Sequence, residues 1–275
     1  MSYRRIQVRP LAGALGAEVA GVDLGELDDA AFAEIHAAWL QHQVLFFRDQ
    51  DLSPEEHKAF GRRFGELQIH PFLHSRKAEG HPEIVVLESD EARPYVASGW
   101  HTDVTFAERP PMASILRGVE VPAWGGDTMW TSCNAAYDAL SSTMQRLLAD
   151  LVAVHDTSKT FSRGAYPSER HPDADEMPRA LHPVIRTHPE TGRKAIFVNP
   201  AFTLRVKGMR PAESEALLGF LYQHVATPEF TCRFHWEKNS LAIWDNRCTQ
   251  HRVVADNAKA HRRMERVTVE GDRPV

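Results

Sequence analysis

Beyond Met112 the chain is dominated by short runs of strand character, and this limits what it can fold into more than any other feature. The runs are 112–119, 127–131, 183–187, 195–199, 232–236, 241–245 and 263–269. Only two helical stretches, about 133–152 and 211–226, interrupt them. Pro189-Glu190-Thr191-Gly192 sets a turn between two of the runs, which predicts a hairpin. A parallel, doubly wound sheet would need a helix after nearly every strand and a glycine-rich strand-to-helix turn for its ligand. Neither pattern occurs. The expectation is a mainly β fold with flanking helices, built as an antiparallel double-sheet barrel.

The first hundred residues mix short strands with helices. Residues 5–12 and 16–24 read as short strands around Gly13 and Gly16. Asp28 to His42 reads as an amphipathic helix with Phe32, Ile35, Ala38 and Trp39 on one stripe. Val44 to Phe47 is a buried strand, and Glu83 to Leu87 is another. Ser53-Pro54-Glu55-Glu56 is a helix start, with Ser53 as cap, Pro54 at the first helical position and Glu56 reaching back. That helix should run to about Phe64. No linker, repeat or composition break divides the chain, so residues 1–275 are expected to form one domain. At this length a core buries roughly three quarters of the unfolded surface and needs no disulfides.

Charge and cysteine usage narrow the function classes. There are 32 Lys and Arg against 37 Asp and Glu, a net charge of −5, with no basic block. That argues against a dedicated nucleic-acid binder. Cys133, Cys232 and Cys248 are odd in number and far apart, so they form no disulfide framework. A reducing compartment fits them, and the N-terminus shows no apolar secretory stretch. No apolar run is long enough to span a bilayer. A cytoplasmic protein without membrane contact is the expectation.

Fifteen histidines are about twice ordinary usage. Two of them stand out by their surroundings. In His101-Thr102-Asp103 an extended backbone turns an imidazole and a carboxylate to the same side. His251, in Trp244-Asp245-Asn246-Arg247-Cys248-Thr249-Gln250-His251, is the best third ligand. Two histidines and one carboxylate on one face of a metal leave the opposite positions open, as in non-haem Fe(II) oxygenases. Such a triplet on its own is more often a turn or a surface pair. The run Arg262-Arg263-Met264-Glu265-Arg266-Val267-Thr268-Val269 strengthens it, because period 2 puts Arg262, Met264 and Arg266 on one strand face. Two guanidiniums so placed suit two anionic ligands, since the rigid fork matches a carboxylate or an oxyanion. Asp245 and Asn246 read equally as turn formers or as groups that orient His251.

Further stretches make the likeness to a known family specific. They are Trp100-His101-Thr102-Asp103-Val104-Thr105-Phe106, Gly125-Gly126-Asp127-Thr128-Met129-Trp130-Thr131-Ser132, and Trp244 to His251 followed by Arg262. The chain resembles the taurine/α-ketoglutarate dioxygenases, which depend on Fe(II) and 2-oxoglutarate, over nearly its whole length. Phe64-Gly65-Glu66-Leu67 with Ile69-His70-Pro71, and Leu181 to Pro189, resemble the taurine-acting members in particular.

The resemblance implies a double-stranded β-helix, or jelly roll, with Fe(II), 2-oxoglutarate and O2 as cofactor and cosubstrates. It implies that His101, Asp103 and His251 hold the iron, and that Thr128 and Arg262 bind the far carboxylate of 2-oxoglutarate. His70 and Arg266 would meet the substrate's sulfonate, and Phe161 and Phe202 would wall its pocket. The reaction implied hydroxylates the carbon next to sulfur of taurine or a related sulfonate, releasing sulfite and an aldehyde with succinate and CO2. Leu73 and Ala97 stand where the taurine enzyme has a tyrosine and an asparagine. Polar contacts to taurine are lost there, which opens the reading to a less polar sulfonate or an alkyl sulfate ester. A zinc hydrolase using the same triad, or a sugar- or anion-binding jelly roll without catalysis, are the readings from other classes. A homo-oligomer, dimer or tetramer, is expected by the same resemblance. Residues 158–180, rich in Ser, Pro and charge, could form a lid.

Overall fold

The computed structural model describes residues 3–73, 76–92, 97–158, 160, 178–257 and 259–275. Two short strands, β1 (Gln7–Pro10) and β2 (Ala17–Ala20), lead into helix α1 (Asp29–His42). Asp28 caps α1 by accepting from the Ala31 amide at 2.7 Å. Strand β3 (Val44–Phe47) follows, then α2 (Pro54–Arg62). The expected reciprocal cap is present on α2. Ser53 Oγ accepts from the Glu56 amide at 3.3 Å, and Glu56 Oε2 accepts from the Ser53 amide at 2.7 Å.

Next come β4 (Lys77–Ala78), β5 (His81–Ser89), β6 (Ala113–Glu120) and β7 (Thr128–Ser132). The stretch expected as one helix over 133–152 is two, α3 (Cys133–Asp138) and α4 (Ser142–Leu148). Ser141 breaks it, because its hydroxyl accepts from the Met144 amide at 3.2 Å and starts a new helix. The residues after Leu151 then pair as a strand, β8 (Val152–Asp156). The run 183–187 is also two pieces, β9 (Arg179–Pro183) and β10 (Ile185–Thr187), which pair with different neighbours. The chain continues through β11 (Lys194–Ile196), β12 (Thr203–Val206) and α5 (Pro211–Val225). It closes with β13 (Thr231–Phe234), β14 (Leu241–Asp245), β15 (Thr249–Val253) and β16 (Arg262–Val269).

Eight strands form one sheet in the order β1-β2-β3-β14-β6-β16-β5-β4. Every pairing in it is antiparallel except β2 with β3. Its centre is apolar on both faces. Leu45, Phe47, Leu241 and Ile243 pack under α1 and α2 with Trp39 and Phe60. Their neighbours Phe46, Ala242 and Trp244 point the other way, to Trp130, Phe234 and Trp236 of the small sheet β13-β7-β15 and the loop after it. Burial on both faces is why Val44-Leu45-Phe46-Phe47 reads as an unbroken apolar run. A third core lies among α3, α4, α5 and the strands β8, β10, β11 and β12. Among the described residues no helix is long and apolar enough to cross a membrane.

The helix side of the large sheet also hides a histidine. His57 on α2 is fully buried, with Nε2 3.3 Å from the Ile115 carbonyl. Burial lowers its pKa from 6.5 to about 4. Below pH 6.5 the unfolded chain therefore takes a proton that the native state refuses until about pH 4. Unfolding free energy should fall across that window, by up to about 3 kcal/mol from this group. Urea melts at pH 7, 6, 5 and 4 should show the slope in the wild type and a shallower one in His57→Gln.

Candidate metal centre and its pocket

A reciprocal pair of backbone hydrogen bonds brings the expected triad together. The His101 amide donates to the His251 carbonyl at 3.0 Å, and the His251 amide donates back at 2.8 Å. The two rings consequently stand 4.2 Å apart. His251 itself lies in β15, whose other edge pairs with β7 in register His251 to Trp130 and Val253 to Thr128. Thr102 points away and donates to the Thr249 carbonyl at 2.7 Å, so period 2 returns Asp103 to the side of His101. Asp103 Oδ1 lies 3.9 Å from His101 Nε2 and 4.0 Å from His251 Nε2. All three donor atoms fall within 4.8 Å of one another.

The protonation states suit a cation. His101 Nδ1 sits 2.9 Å from the Gly99 carbonyl, which can only accept, so the proton is on Nδ1 and the Nε2 lone pair faces Asp103. Burial lowers the pKa of both histidines and keeps them neutral. Burial alone would raise the Asp103 carboxyl, but Arg266, His251 and His101 together hold it well below the usual carboxylate range. Two imidazole nitrogens and one carboxylate oxygen, all deprotonated at neutral pH, are a donor set that fits a divalent transition metal.

Asp103 is fixed on both oxygens. Arg266 Nη1 donates to Oδ1 at 2.9 Å and Ser114 Oγ donates to Oδ2 at 2.7 Å. Ser114 Oγ accepts from Asn246 Nδ2 at 3.0 Å, and Asn246 Oδ1 accepts from Trp244 Nε1 at 3.0 Å. Asn246 thus steers the carboxylate and not His251. Asp245 does something else. Its oxygens take His188 Nε2 at 2.9 Å and Arg247 Nη2 and Nε at 2.7 and 2.8 Å. Its carbonyl accepts from Thr249 Oγ1 at 2.7 Å, which pins the turn before β15. His188, Asp245 and Cys248 also lie within 4.8 Å of one another. The bound guanidinium already balances that carboxylate, and burial pushes the Cys248 thiol well up, so this cluster is an ion-pair anchor.

The triad lines a cavity of about 390 Å³. Arg262 and Arg266 both line it, as the alternation of β16 predicts, while Met264 between them is fully buried. Thr128 lines it too and accepts from Trp236 Nε1 at 2.9 Å, beneath the Arg262 guanidinium. His70 and Phe202 are in the wall, and so are the two departures, Leu73 and Ala97. Phe161 and most of the stretch 158–180 lie outside the described residues. Ser114, Val104 and Leu87 escaped sequence reasoning. A lone serine inside the apolar run Met112 to Leu116 was the available signal for Ser114. Nothing marked Val104, whose φ of 52° is a left-handed conformation that β-branched residues avoid.

A family model, the taurine catabolism dioxygenase TauD/TfdA family, matches residues 7–268. The chain belongs to this family. It is 38% identical over 281 residues to an alpha-ketoglutarate-dependent sulfate ester dioxygenase of Pseudomonas putida, covering 98% of this chain and 91% of that one. It is 37% identical to an alkylsulfatase of Acinetobacter baylyi, covering 98% and 86%. A taurine dioxygenase structure from Burkholderia xenovorans superposes with a TM-score of 0.85 at 41% identity, covering 99% and 93%. The fold is thus the jelly roll of TauD-type dioxygenases, and the chain is a dioxygenase dependent on Fe(II), 2-oxoglutarate and O2.

Two substitutions test how this dioxygenase holds its site. Ser114→Ala should leave Asp103 with one fewer anchor and weaken Mn(II) binding roughly tenfold, read by calorimetry. Arg247→Met strands the buried Asp245 charge and should destabilise the fold by about 3–5 kcal/mol in urea melts, with Mn(II) affinity measured below the transition.

Proposed function

We propose that His101, Asp103 and His251 ligate the iron, and that the chain hydroxylates the carbon carrying the sulfur group of a sulfonate or sulfate ester with an apolar chain. The observation that carries this reading is Arg266. Its side chain is 9% exposed, it lines the cavity beside the triad, and among the described residues its Nε meets no hydrogen-bond acceptor. A buried donor without an acceptor is costly, and an oxyanion supplies one. His70 supports it. Its Nδ1 accepts from the Phe72 and Leu73 amides, both at 3.2 Å, which puts the proton on Nε2, the form that donates to an anion.

The cosubstrate end has its own logic. An indole N–H only donates, so Thr128 Oγ accepts from Trp236 and keeps its own hydrogen for another acceptor. Thr128 and Arg262 then offer a hydroxyl and a guanidinium to the far carboxylate of 2-oxoglutarate. Iron held by the triad would supply the oxidising chemistry, coupling O2 reduction to decarboxylation of the keto acid. The remaining work belongs to this chain. Arg266 and His70 hold the oxyanion head, and Leu73, Val104, Phe106 and Phe202 hold the chain of the substrate and keep water out. The hydroxylated product of a sulfonate breaks to an aldehyde and sulfite, and that of a sulfate ester to an aldehyde and sulfate.

The apolar wall separates taurine from other substrates. Leu73 is 5% exposed and packs with Val85, Val104, Phe106 and Phe202. An ammonium placed against it would lose its hydrogen bonds, at about 1–3 kcal/mol. Alkanesulfonates and alkyl sulfates should therefore exceed taurine in kcat/KM by roughly tenfold or more. The assay is a panel of the three with Fe(II), 2-oxoglutarate and O2, reading succinate with sulfite or sulfate. Arg266→Ala should lower kcat/KM for the sulfur substrate by about 100-fold with 2-oxoglutarate binding largely kept, and Arg262→Ala the reverse. Turnover without 2-oxoglutarate would overturn the reading.

A further inference from the structure

Directly after Asp103 the chain makes a turn that its sequence does not favour. Val104 has φ of 52°, and the Ala107 amide donates to the Val104 carbonyl at 3.0 Å. A β-branched residue stays in that conformation only where its surroundings impose it. The imposing contacts converge on the next residue. Thr105 is fully buried behind the cavity wall. Its hydroxyl accepts from Asn199 Nδ2 at 3.1 Å and lies 3.0 Å from His155 Nδ1. Its carbonyl and that of Ala107 both accept from His182 Nε2, at 2.9 and 3.0 Å, which brackets the turn. Asn199 has a second task, because its Oδ1 accepts from the Phe202 amide at 2.9 Å. Phe202 meets Phe106 edge to face, at 5.2 Å between ring centres. One buried hydroxyl therefore ties the turn that follows Asp103 to the segment that carries the opposite aromatic wall.

We propose that Thr105 is a positioning residue, and that its anchor to Asn199, His155 and His182 holds the strained Val104 turn and so aims both the Asp103 carboxylate and the Phe106–Phe202 wall. The inference rests on Asp103 being a metal ligand. It assigns the reacting geometry to a cluster that touches neither metal nor substrate. An anchor of this kind differs from ordinary core packing in one respect. Glycine adopts positive φ without help, so relieving the strain at position 104 should make the anchor dispensable.

The experiment uses the whole chain and Mn(II) as probe. Thr105→Val, which keeps the shape and removes the hydroxyl, should raise the Mn(II) Kd about tenfold and increase 2-oxoglutarate consumed per aldehyde formed. Thr105→Ser should stay within twofold of wild type. Val104→Gly placed in the Thr105→Val background should recover most of the lost Mn(II) affinity. Asn199→Ser provides the same test from the other side of the bond should Thr105→Val not fold. Loss of thermal stability with Kd and coupling ratio unchanged would overturn the proposal, as would the absence of recovery by glycine. A wild-type chain that binds no Mn(II) would instead overturn the ligand reading on which it rests.

Discussion

Two backbone hydrogen bonds between His101 and His251 make the site possible. Residues 150 positions apart in sequence cannot share a centre unless something fixes their register, and here the main chain does it. β15 is bound to β7 on one edge and to the His101 segment on the other. The Val253 amide also donates to the Ala97 carbonyl at 2.9 Å, which extends the pairing beyond a single bridge. Because side chains alternate along extended chain, this one register turns His251, Val253, Thr128 and Trp130 all inward. A slip of one residue would turn every one of them away.

Charge is the second constraint. Asp103 and Asp245 are both buried carboxylates, a few residues in space from the same strands, and each is met by an arginine. They are treated differently. Arg247 takes both oxygens of Asp245 and leaves no donor site there. Arg266 takes one oxygen of Asp103 with one nitrogen, and the histidines crowd that same oxygen. The first arrangement is closed and anchors a turn. The second faces the cavity, as the ligand role proposed for it requires.

Legibility in the sequence followed the periodicities. The His101-Thr102-Asp103 triplet and the Arg262, Met264, Arg266 face were readable because strand alternation is strict. The cap at Ser53 was readable because its chemistry is local. β15 was not recognised as a strand, and the reason is its buried polar residues. Thr249, Gln250 and His251 are buried polar residues, so the segment lacks the apolar alternation that marks strands elsewhere. The break at Ser141 was hidden by apolar residues on both sides of it. The separate tasks of Asp245 and Asn246 were not separable either, since adjacent residues on a turn can point anywhere. The cluster around Thr105 joins residues from four distant stretches, and no local pattern announces it.

The geometry of β16 carries a consequence for what the cavity can accept. Arg262 and Arg266 are four residues apart on one strand, so about 13 Å of rigid backbone separates their origins. The strand is locked between β5 and β6, in register Arg266 to Val85 and to Leu116. It fixes the spacing of the two guanidiniums that line the cavity. Neither origin can move along the strand toward the other, so a change in the distance between the two anions proposed for them would have to be met by the side chains alone. The spacing between the two bound groups is thereby set by the rise of a β-strand, with no side chain dedicated to it.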